Sequence, residues 1–508
     1  MKKVLLFVFL ITSALVAVLL NVVCATTVKS ENSIYIGSEL YDPATYAQYP
    51  VSMPFLYATD FNTTSDMGYL TSTGNVPLLL NLQKSETLNF VPVFVFYLIN
   101  GSNANTDLQN SLTSDLTHNL TVFINALDAI VLQETALKKK ADIILNPDLM
   151  GYLESRAVVD PVIKAILNGT QAVPVKESYA AFYAANINSS VKDLGLPTPD
   201  NVDTLLQKVL PPSVSIDSFS AYVYLINYLL HLPKIHPYIS YGWTENIWAG
   251  ADSHVTIHHD RSATDGSVNM ANITAQATAA VQFADAYYFY GVTGLTPDFI
   301  VFDKYAVDNF RVLPHDPTQN YVFQGYYTLY NAGDWNGALR LIQTISESLK
   351  TDAGAAMPVM LWQIPGGHVT TMVGKDTVPA HSEFGDYNTQ YFFGDTNLQK
   401  LTPVSLPLAP NDVIQSPTNY NYIPTMGENS VFDYLSGGAS PNFDISHIAN
   451  LEASHVFAIL FGGAYAVGVY PYDNKEVAIL QQSDWLKAKL SAVDKSNADI
   501  CLNLSDCA

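Results

Sequence analysis

The feature of this sequence that most limits its possible folds is a repeated alternation of short apolar runs with helical stretches. The runs "SIYIGSELYDP" (33–43) and "VPVFVFYLING" (91–101) are apolar and end in polar or aromatic residues. The second is followed by "LTVFINALDAIVLQETALKKK" (120–140), whose apolar residues recur at three- and four-residue spacing and whose last turn carries lysines. This order predicts buried parallel strands that are covered by helices.

Five further runs continue the alternation, and the last of them offers one or two strands. They are "ADIILNPDLMGYLE" (141–154), "PYISYGWTENIW" (237–248), "PDFIVFDKYAVDNF" (297–310), "MPVMLWQIPGGHV" (357–369) and "HVFAILFGGAYAVGVY" (455–470). Seven or eight strands predict an α/β fold, a (β/α)8 TIM-type barrel with long insertions near 160–217 and 374–450. A doubly wound open sheet is the alternative, but no glycine-rich dinucleotide or P-loop motif follows any of the strands.

The N-terminus has the pattern of a secretory signal peptide. Two lysines precede an apolar run from Val4 to Leu20, and small residues follow up to Ala25. We expect residues 1–25 to be cleaved, which leaves 26–508 as one secreted domain, extracellular or periplasmic. An uncleaved anchor helix is the alternative, and no later segment reads as long and apolar enough to span a membrane.

The chain is strongly acidic, with a formal net charge of −22. Because the signal segment holds two lysines and no acids, its cleavage changes this charge to −24. Such a surface disfavours binding to nucleic acid or anionic membranes, and it suits a soluble secreted protein with a neutral or cationic partner. We expect the protein to be a monomer. In an oxidising compartment the two remaining cysteines, Cys501 and Cys507, are expected to form a disulfide that closes a short C-terminal loop.

Carboxylates, amides and aromatic residues dominate the C-terminal ends of the predicted strands, where barrel enzymes carry their working residues. Those we select are Glu39, Asn146, Asp148, Trp243, Glu245, Asp303, Tyr305, Trp362 and Gln363. Aromatic rings stack on sugar rings, amides and carboxylates bind hydroxyls, and a carboxyl pair can cleave a glycosidic bond by acid/base catalysis. The strand ends therefore predict a carbohydrate-binding cleft that needs no cofactor.

Three carboxylates are the catalytic candidates, and each also has an ordinary structural explanation. Glu245 lies between two tryptophans, where burial would favour a general acid, but it could instead cap the next helix. Asp303 directly follows four apolar residues and is either catalytic or paired with a basic neighbour. Asp148 stands in Asn-Pro-Asp, which also makes common turns.

The stretch "MPVMLWQIPGGHV" predicts a strand that ends on a binding surface. Because side chains alternate along a strand, Trp362 and Gln363 cannot both face the barrel axis by regular pleating. We expect one of them to line the cleft beside Glu245 and Asp303, with His368 at its rim. The alternative is that Trp362 fills the core.

Several of these stretches resemble known carbohydrate-active proteins. "PDFIVFDKYAVDNF" and "MPVMLWQIPGGHV", followed far downstream by "LFGG", resemble secreted bacterial proteins that are identified as glycoside-hydrolase-like or cellulase-like (β/α)8 barrels. "IILNPDLMGYLE" resembles the strand of family-six cellulases that ends in Glu-Pro-Asp, where the Asp is the catalytic acid; here Asn146 replaces the Glu. The resemblance implies a glycoside hydrolase, with a non-catalytic glycan-binding barrel as the alternative.

A different chemistry is possible at "ADSHVTIHHDRSATDG". His254, His258 and His259 lie close together beside two aspartates, and such clusters bind divalent metals. The spacing of the first two resembles the His-x-x-x-His of polysaccharide deacetylases, although the upstream Asp-Asp strand of that family is absent. A metal-dependent polysaccharide hydrolase or deacetylase is therefore a further alternative.

Overall fold

The structure, a computed structural model, contains a closed barrel of eight parallel strands. It describes residues 34–40, 46, 51–60, 69–71, 74–85, 90–100, 105–187, 190–247, 249, 270–304, 332–364, 388–394 and 446–462. The strands are β1 (Tyr35–Glu39), β2 (Met53–Asp60), β3 (Val93–Tyr97), β4 (Ala141–Leu145), β5 (Ile239–Asn246), β6 (Phe299–Asp303), β7 (Val359–Ile364) and β8 (Val456–Phe461). They pair in sequence order, and β8 closes on β1. The predicted (β/α)8 fold is confirmed.

Helices connect and cover the strands. Those that the structure describes are α1 (Asn75–Ser85), α2 (Asn105–Ser111), α3 (Leu116–Leu137), α4 (Leu149–Arg156), α5 (Pro161–Leu167), α6 (Val175–Asn186), α7 (Pro199–Val209), α8 (Phe219–Leu230), α9 (Met270–Ala286), α10 (Ala332–Ser348), α11 (Asn388–Phe393) and α12 (Ile448–Ala453). The segment 160–217 lies between β4 and β5 and contains α5, α6 and α7, so this part of the chain is largely helical.

The core has two layers, because each strand is buried on both faces. Val93, Val95 and Tyr97 of β3 belong to the cluster inside the barrel, whereas Phe94 and Phe96 belong to the cluster between the sheet and the helices. Burial on both faces removes the polar alternation of an exposed sheet, which explains the continuous apolar runs in the sequence.

Strand β2 was not recognised in the sequence. Its residues, "MPFLYATD", pair with β1 through Gly37 and with β3 through Tyr57. The pairing with β3 shifts in register between Tyr57 and Thr59, so that Ala58 has no partner in β3. A proline at the second position and the short apolar run hide this strand from pattern analysis.

One helix contradicts the reading that no segment after the N-terminus could span a membrane. Helix α3, Leu116–Leu137, is long and apolar enough by length and composition. Half of its most apolar window is buried inside the structure, where Leu120, Phe123 and Leu127 join the core. Burial of this kind is also usual for the core helix of a soluble barrel.

Several predictions fall outside the described residues. These are the signal peptide at 1–25, the disulfide between Cys501 and Cys507, and most of the expected insertion at 374–450. Of the site residues, Tyr305 and His368 lie outside as well, as do His254, His258 and His259. All of these remain predictions.

Candidate active site

The C-terminal ends of β5, β6 and β7 bring three inward side chains into one row. In the parallel register Asn246 is opposite Asp303, and Asp303 is opposite Trp362. Trp362 belongs to the cluster inside the barrel, so this row faces the barrel interior at the end where barrel enzymes carry their active sites. Here this end of the barrel is called the mouth.

The amide of Asn246 connects two of the predicted catalytic carboxylates. Its Nδ2 donates one hydrogen bond to Oδ1 of Asp148 and one to Oδ2 of Asp303, each over 2.9 Å. An ionised carboxylate can only accept hydrogen bonds, so these contacts fix which side of the amide carries the nitrogen. Two carboxylates from β6 and the β4–α4 loop are thereby held on one donor.

Asp148 has a left-handed backbone conformation at the start of α4. It precedes α4 at the N-cap position with φ 68°, in the left-handed region, yet its side chain makes no capping hydrogen bond. Its carboxylate turns instead to Asn246 and to the hydroxyl of Tyr97. Asp is among the residues that adopt this conformation most readily, so the turn can direct the carboxylate to these two partners at little cost in backbone strain.

Burial sets the protonation of Asp148. Burial raises the pKa of its carboxyl to about 6, although the hydrogen bonds from Asn246 and Tyr97 act to lower it. The residue as a whole remains partly exposed at the mouth. A carboxyl that is protonated in mildly acidic solution and accessible at a barrel mouth has the properties of a general acid.

An aromatic cluster lies beneath these carboxylates. The ring of Tyr57 stacks on Tyr97 at 6.0 Å and meets Trp362 edge-on at 6.2 Å, and Phe55 lies 6.4 Å from the same indole. Trp362 is fully buried, whereas Tyr57 is partly exposed. The predicted role of Trp362 as an open sugar platform is therefore better suited to Tyr57.

Gln363 does not follow the regular alternation of side chains along β7. It has φ 54°, and the pairing of β7 with β8 is irregular between Leu361 and Ile364. Its Nε2 donates a hydrogen bond of 3.0 Å to the hydroxyl of Tyr57, while its neighbour Trp362 packs inside the barrel. Both side chains thus reach the interior, because one left-handed residue breaks the strand.

The hydroxyl of Tyr57 lies close enough to the acidic groups of the mouth for their charges to change its pKa. Burial raises the pKa of its hydroxyl well above the ordinary value, and the charges of Glu39, Asp303 and Asp148 raise it further. The hydrogen bond from Gln363 acts in the opposite direction. The phenol therefore remains neutral and able to donate a hydrogen bond, with Glu39 on the same side of the mouth.

Asn146 has a structural role at the edge of this site. Its Oδ1 accepts hydrogen bonds from the backbone N–H groups of Leu98 and Ile99, over 2.7 and 2.9 Å. Its Nδ2 lies 3.5 Å from the hydroxyl of Tyr222. The side chain predicted to bind substrate is thus engaged in holding the end of β3.

Glu245 and Trp243 lie on the opposite face of β5 from Asn246. Trp243 belongs to the layer between sheet and helices, where its Nε1 donates to Asn227 over 2.8 Å. Glu245 shares this outer face and contacts Glu154 of α4. The structure therefore brings Asp148 and Asp303 together and places Glu245 behind them.

No family model, no curated protein and no solved structure matches the chain.

Three residues of the site were not selected from the sequence: Tyr57, Tyr97 and Asn246. Tyr57 was missed with its strand, and Tyr97 reads as one more apolar residue in "VPVFVFYLING". Asn246 stands with Glu245 at the end of β5 in the sequence, but strand phase decides which of the two faces inward. In a strand with two apolar faces the sequence carries no signal for that phase.

The metal alternative has no support among the described residues. No group of three His, Cys, Asp or Glu side chains is arranged there to hold a metal ion. The histidines on which that alternative depends lie outside the described residues.

Proposed function

We propose that this chain is a glycoside hydrolase that cleaves a poly- or oligosaccharide with Asp148 and Asp303. The observation that carries the proposal is the shared hydrogen bonding of both carboxylates to Asn246 at the barrel mouth. Most glycoside hydrolases place two carboxyl groups on either side of one bond and use no cofactor.

The two carboxyl groups take different roles. Asp148, whose pKa burial raises to about 6, protonates the oxygen of the leaving sugar as general acid. Asp303, which is buried at the end of β6, acts in its ionised form on the other side of the bond. The amide of Asn246 keeps both side chains in place while the charge moves between them.

The separation of the two groups favours retention of configuration. Each accepting oxygen is 2.9 Å from the same nitrogen, so the two oxygens lie at most about 5.8 Å apart. Retaining enzymes hold their carboxyls about 5–5.5 Å apart and inverting enzymes about 6.5–9.5 Å, because an inverting enzyme needs space for water. Asp303 would then be the nucleophile that forms a covalent glycosyl intermediate.

The remaining residues of the mouth suit a sugar. Tyr57 offers a partly exposed ring and a neutral hydroxyl, and Gln363 and Glu39 lie beside it as hydrogen-bonding groups. Aromatic faces beside such polar groups are common in carbohydrate sites. The strong negative charge of the chain fits a neutral or cationic glycan.

Screening the purified protein against a panel of polysaccharides, with detection of new reducing ends, tests the proposal. Wild type should release reducing sugar with or without a chelator, and Asp303→Asn should release none. Glycan binding without any release in wild type would instead identify a non-catalytic binding barrel. Loss of release on chelation would favour the metal-dependent alternative.

A further inference from the structure

One face of helix α4 makes three successive contacts with the end of β5. Asp148, at the start of the helix, accepts a hydrogen bond from Asn246. Three residues later Gly151 lies against the same side chain, where an added Cβ would come within 2.6 Å of Oδ1. Three residues later again, Glu154 contacts Glu245. This spacing places all three positions on one side of a helix.

The third contact joins two carboxyl groups. Both carboxyl oxygens of Glu154 are buried, and no amide, hydroxyl or amine of the described residues donates a hydrogen bond to them. The group that faces them is the carboxyl of Glu245, itself buried. Two ionised carboxylates in this position would repel, but with one proton between them they form a strong hydrogen bond.

We propose that Glu154 and Glu245 share a proton that clamps α4 against β5, and that this clamp positions Asp148 and Asn246. The pair would be a positioning device behind the active site, and neither glutamate would touch the substrate. Because Glu245 directly precedes Asn246, and Glu154 lies on the helix that Asp148 begins, one contact sets the distance across which Asn246 reaches Asp148. Only the effect of the clamp on catalysis rests on the proposed function, and the shared proton itself does not.

The surroundings of the pair favour retention of the proton. Burial raises the pKa of Glu154 to about 7, and burial and then the charge of Glu154 raise that of Glu245 well above its ordinary value. Among the described residues, Tyr290 is a further titratable group on which the charge of Glu245 acts, and its hydroxyl donates a hydrogen bond to the backbone carbonyl of Trp243. Coupled groups lose their protons in two steps that belong to the pair. The clamp therefore holds until the pair loses its last proton.

Carbon-13 NMR of the aspartate carboxyl groups tests this inference without a substrate. The protein is labelled at the aspartate γ-carbon, and the signal of Asp148 is assigned through its loss in Asp148→Asn. In wild type this signal should move once as Asp148 titrates and again at higher pH, when the pair ionises and α4 loosens. In Glu154→Gln the second movement should vanish, because an amide donates permanently to Glu245. Glu245→Gln should have the same effect.

A matched control separates the clamp from any buried carboxyl. Glu134 of α3 also has a pKa that burial raises to about 7, but it faces Gln83. Glu134→Gln should leave both movements of the Asp148 signal unchanged. A single movement in wild type, a second one that persists in Glu154→Gln or Glu245→Gln, or one that Glu134→Gln also abolishes would overturn the inference.

The same experiment distinguishes this inference from the proposed function. The Asp148 signal reports the clamp even in a protein that hydrolyses nothing, so a failed polysaccharide screen leaves the test intact. Circular dichroism of each variant verifies that the fold is retained, since a glutamine replaces a glutamate of nearly the same shape. A clamp that only stabilised the protein would change the melting temperature without moving the Asp148 signal.

Discussion

The side-chain nitrogen of Asn246 lies 2.9 Å from a carboxylate oxygen of Asp303, which stands opposite it on the neighbouring strand. The same nitrogen holds Asp148, which is 98 residues away in the sequence. One amide therefore fixes the relative position of two acids that reach the mouth from different barrel units.

Asn246→Ala should disrupt the site more than the fold. Asp148 and Asp303 each lose the hydrogen bond that Asn246 donates. A buried acceptor that loses its donor costs about 1–3 kcal/mol of folding free energy. Since the hydrogen bond from Asn246 lowers the pKa of Asp148, its loss should raise that pKa above 6 and extend acid catalysis to higher pH. The pH dependence of kcat/KM measures this shift. Asn105→Ala is the control, because Asn105 holds Asp160 by an equivalent bond of 2.8 Å elsewhere. An equal shift of the kcat/KM profile in Asn246→Ala and Asn105→Ala would contradict the assignment of Asp148 as the general acid.

Gly151→Ala should lower activity while it leaves the helix intact. Alanine favours a helix over glycine by about 1 kcal/mol, so the local preference alone is stabilising. The new methyl group, however, would lie 2.6 Å from Oδ1 and 2.9 Å from Cβ of Asn246, which must move. We expect kcat to fall at least about tenfold, since small misplacements of catalytic groups are costly. Ser155→Ala on the same helix is the control and should leave kcat unchanged. Full activity of Gly151→Ala would show that the hydrogen bonds from Asn246 to Asp148 and Asp303 are not needed for catalysis.

Trp362 and Gln363 should separate stability from binding. Trp362 is fully buried against Phe55, Tyr57 and Tyr97, so Trp362→Ala should cost about 3–5 kcal/mol of folding free energy. Gln363→Ala removes one hydrogen bond to Tyr57, worth about 1 kcal/mol, and should chiefly weaken glycan binding. Urea unfolding and glycan titration of both variants measure the two effects. Unchanged stability in Trp362→Ala would place that ring outside the core.

Stability should decline as the solution passes from acidic to neutral pH. Burial raises the pKa of Glu134 from 4.5 to about 7, so the folded state holds a proton that the unfolded state releases. The stability due to that proton is complete below pH 4.5 and is lost as pH rises through 7. Glu134→Gln should flatten the decline by on the order of 3 kcal/mol, measured by urea unfolding at several pH values. Glu177→Gln, at an exposed position, is the control and should show the same decline as wild type. If the free energy of unfolding falls equally steeply with pH in wild type and Glu134→Gln, the proton on Glu134 does not cause the decline.

The barrel could be predicted from the sequence, but the inner arrangement of its mouth could not. Continuous apolar runs such as "FIVFD" indicate strands buried on both faces, and their polar ends indicate the mouth. The same two-sided burial hides which of Glu245 and Asn246 faces inward, since a shift of one residue exchanges the faces. Glu245 is the better candidate by its chemistry, but strand phase gives the inward position to Asn246.

Other features depend on contacts between distant parts of the chain. The left-handed conformation of Gln363, which lets it join Trp362 inside the barrel, is not encoded by a glycine or an Asn-Gly pair. The contact of Glu154 with Glu245 joins residues whose local patterns are those of an ordinary helix and strand. Such pairs are decided by how segments pack, which the pattern of a single segment does not encode.

Hydrolysis rates of three isosteric variants test the central claim most directly. On any glycan that wild type cleaves, Asp148→Asn and Asp303→Asn should each lower kcat by at least about 10²-fold, the usual contribution of a positioned acid or base. Glu245→Gln should retain most of the wild-type rate at the pH optimum, because an amide can still pair with Glu154. Loss of activity in Glu245→Gln, together with wild-type rates in Asp148→Asn or Asp303→Asn, would contradict the account.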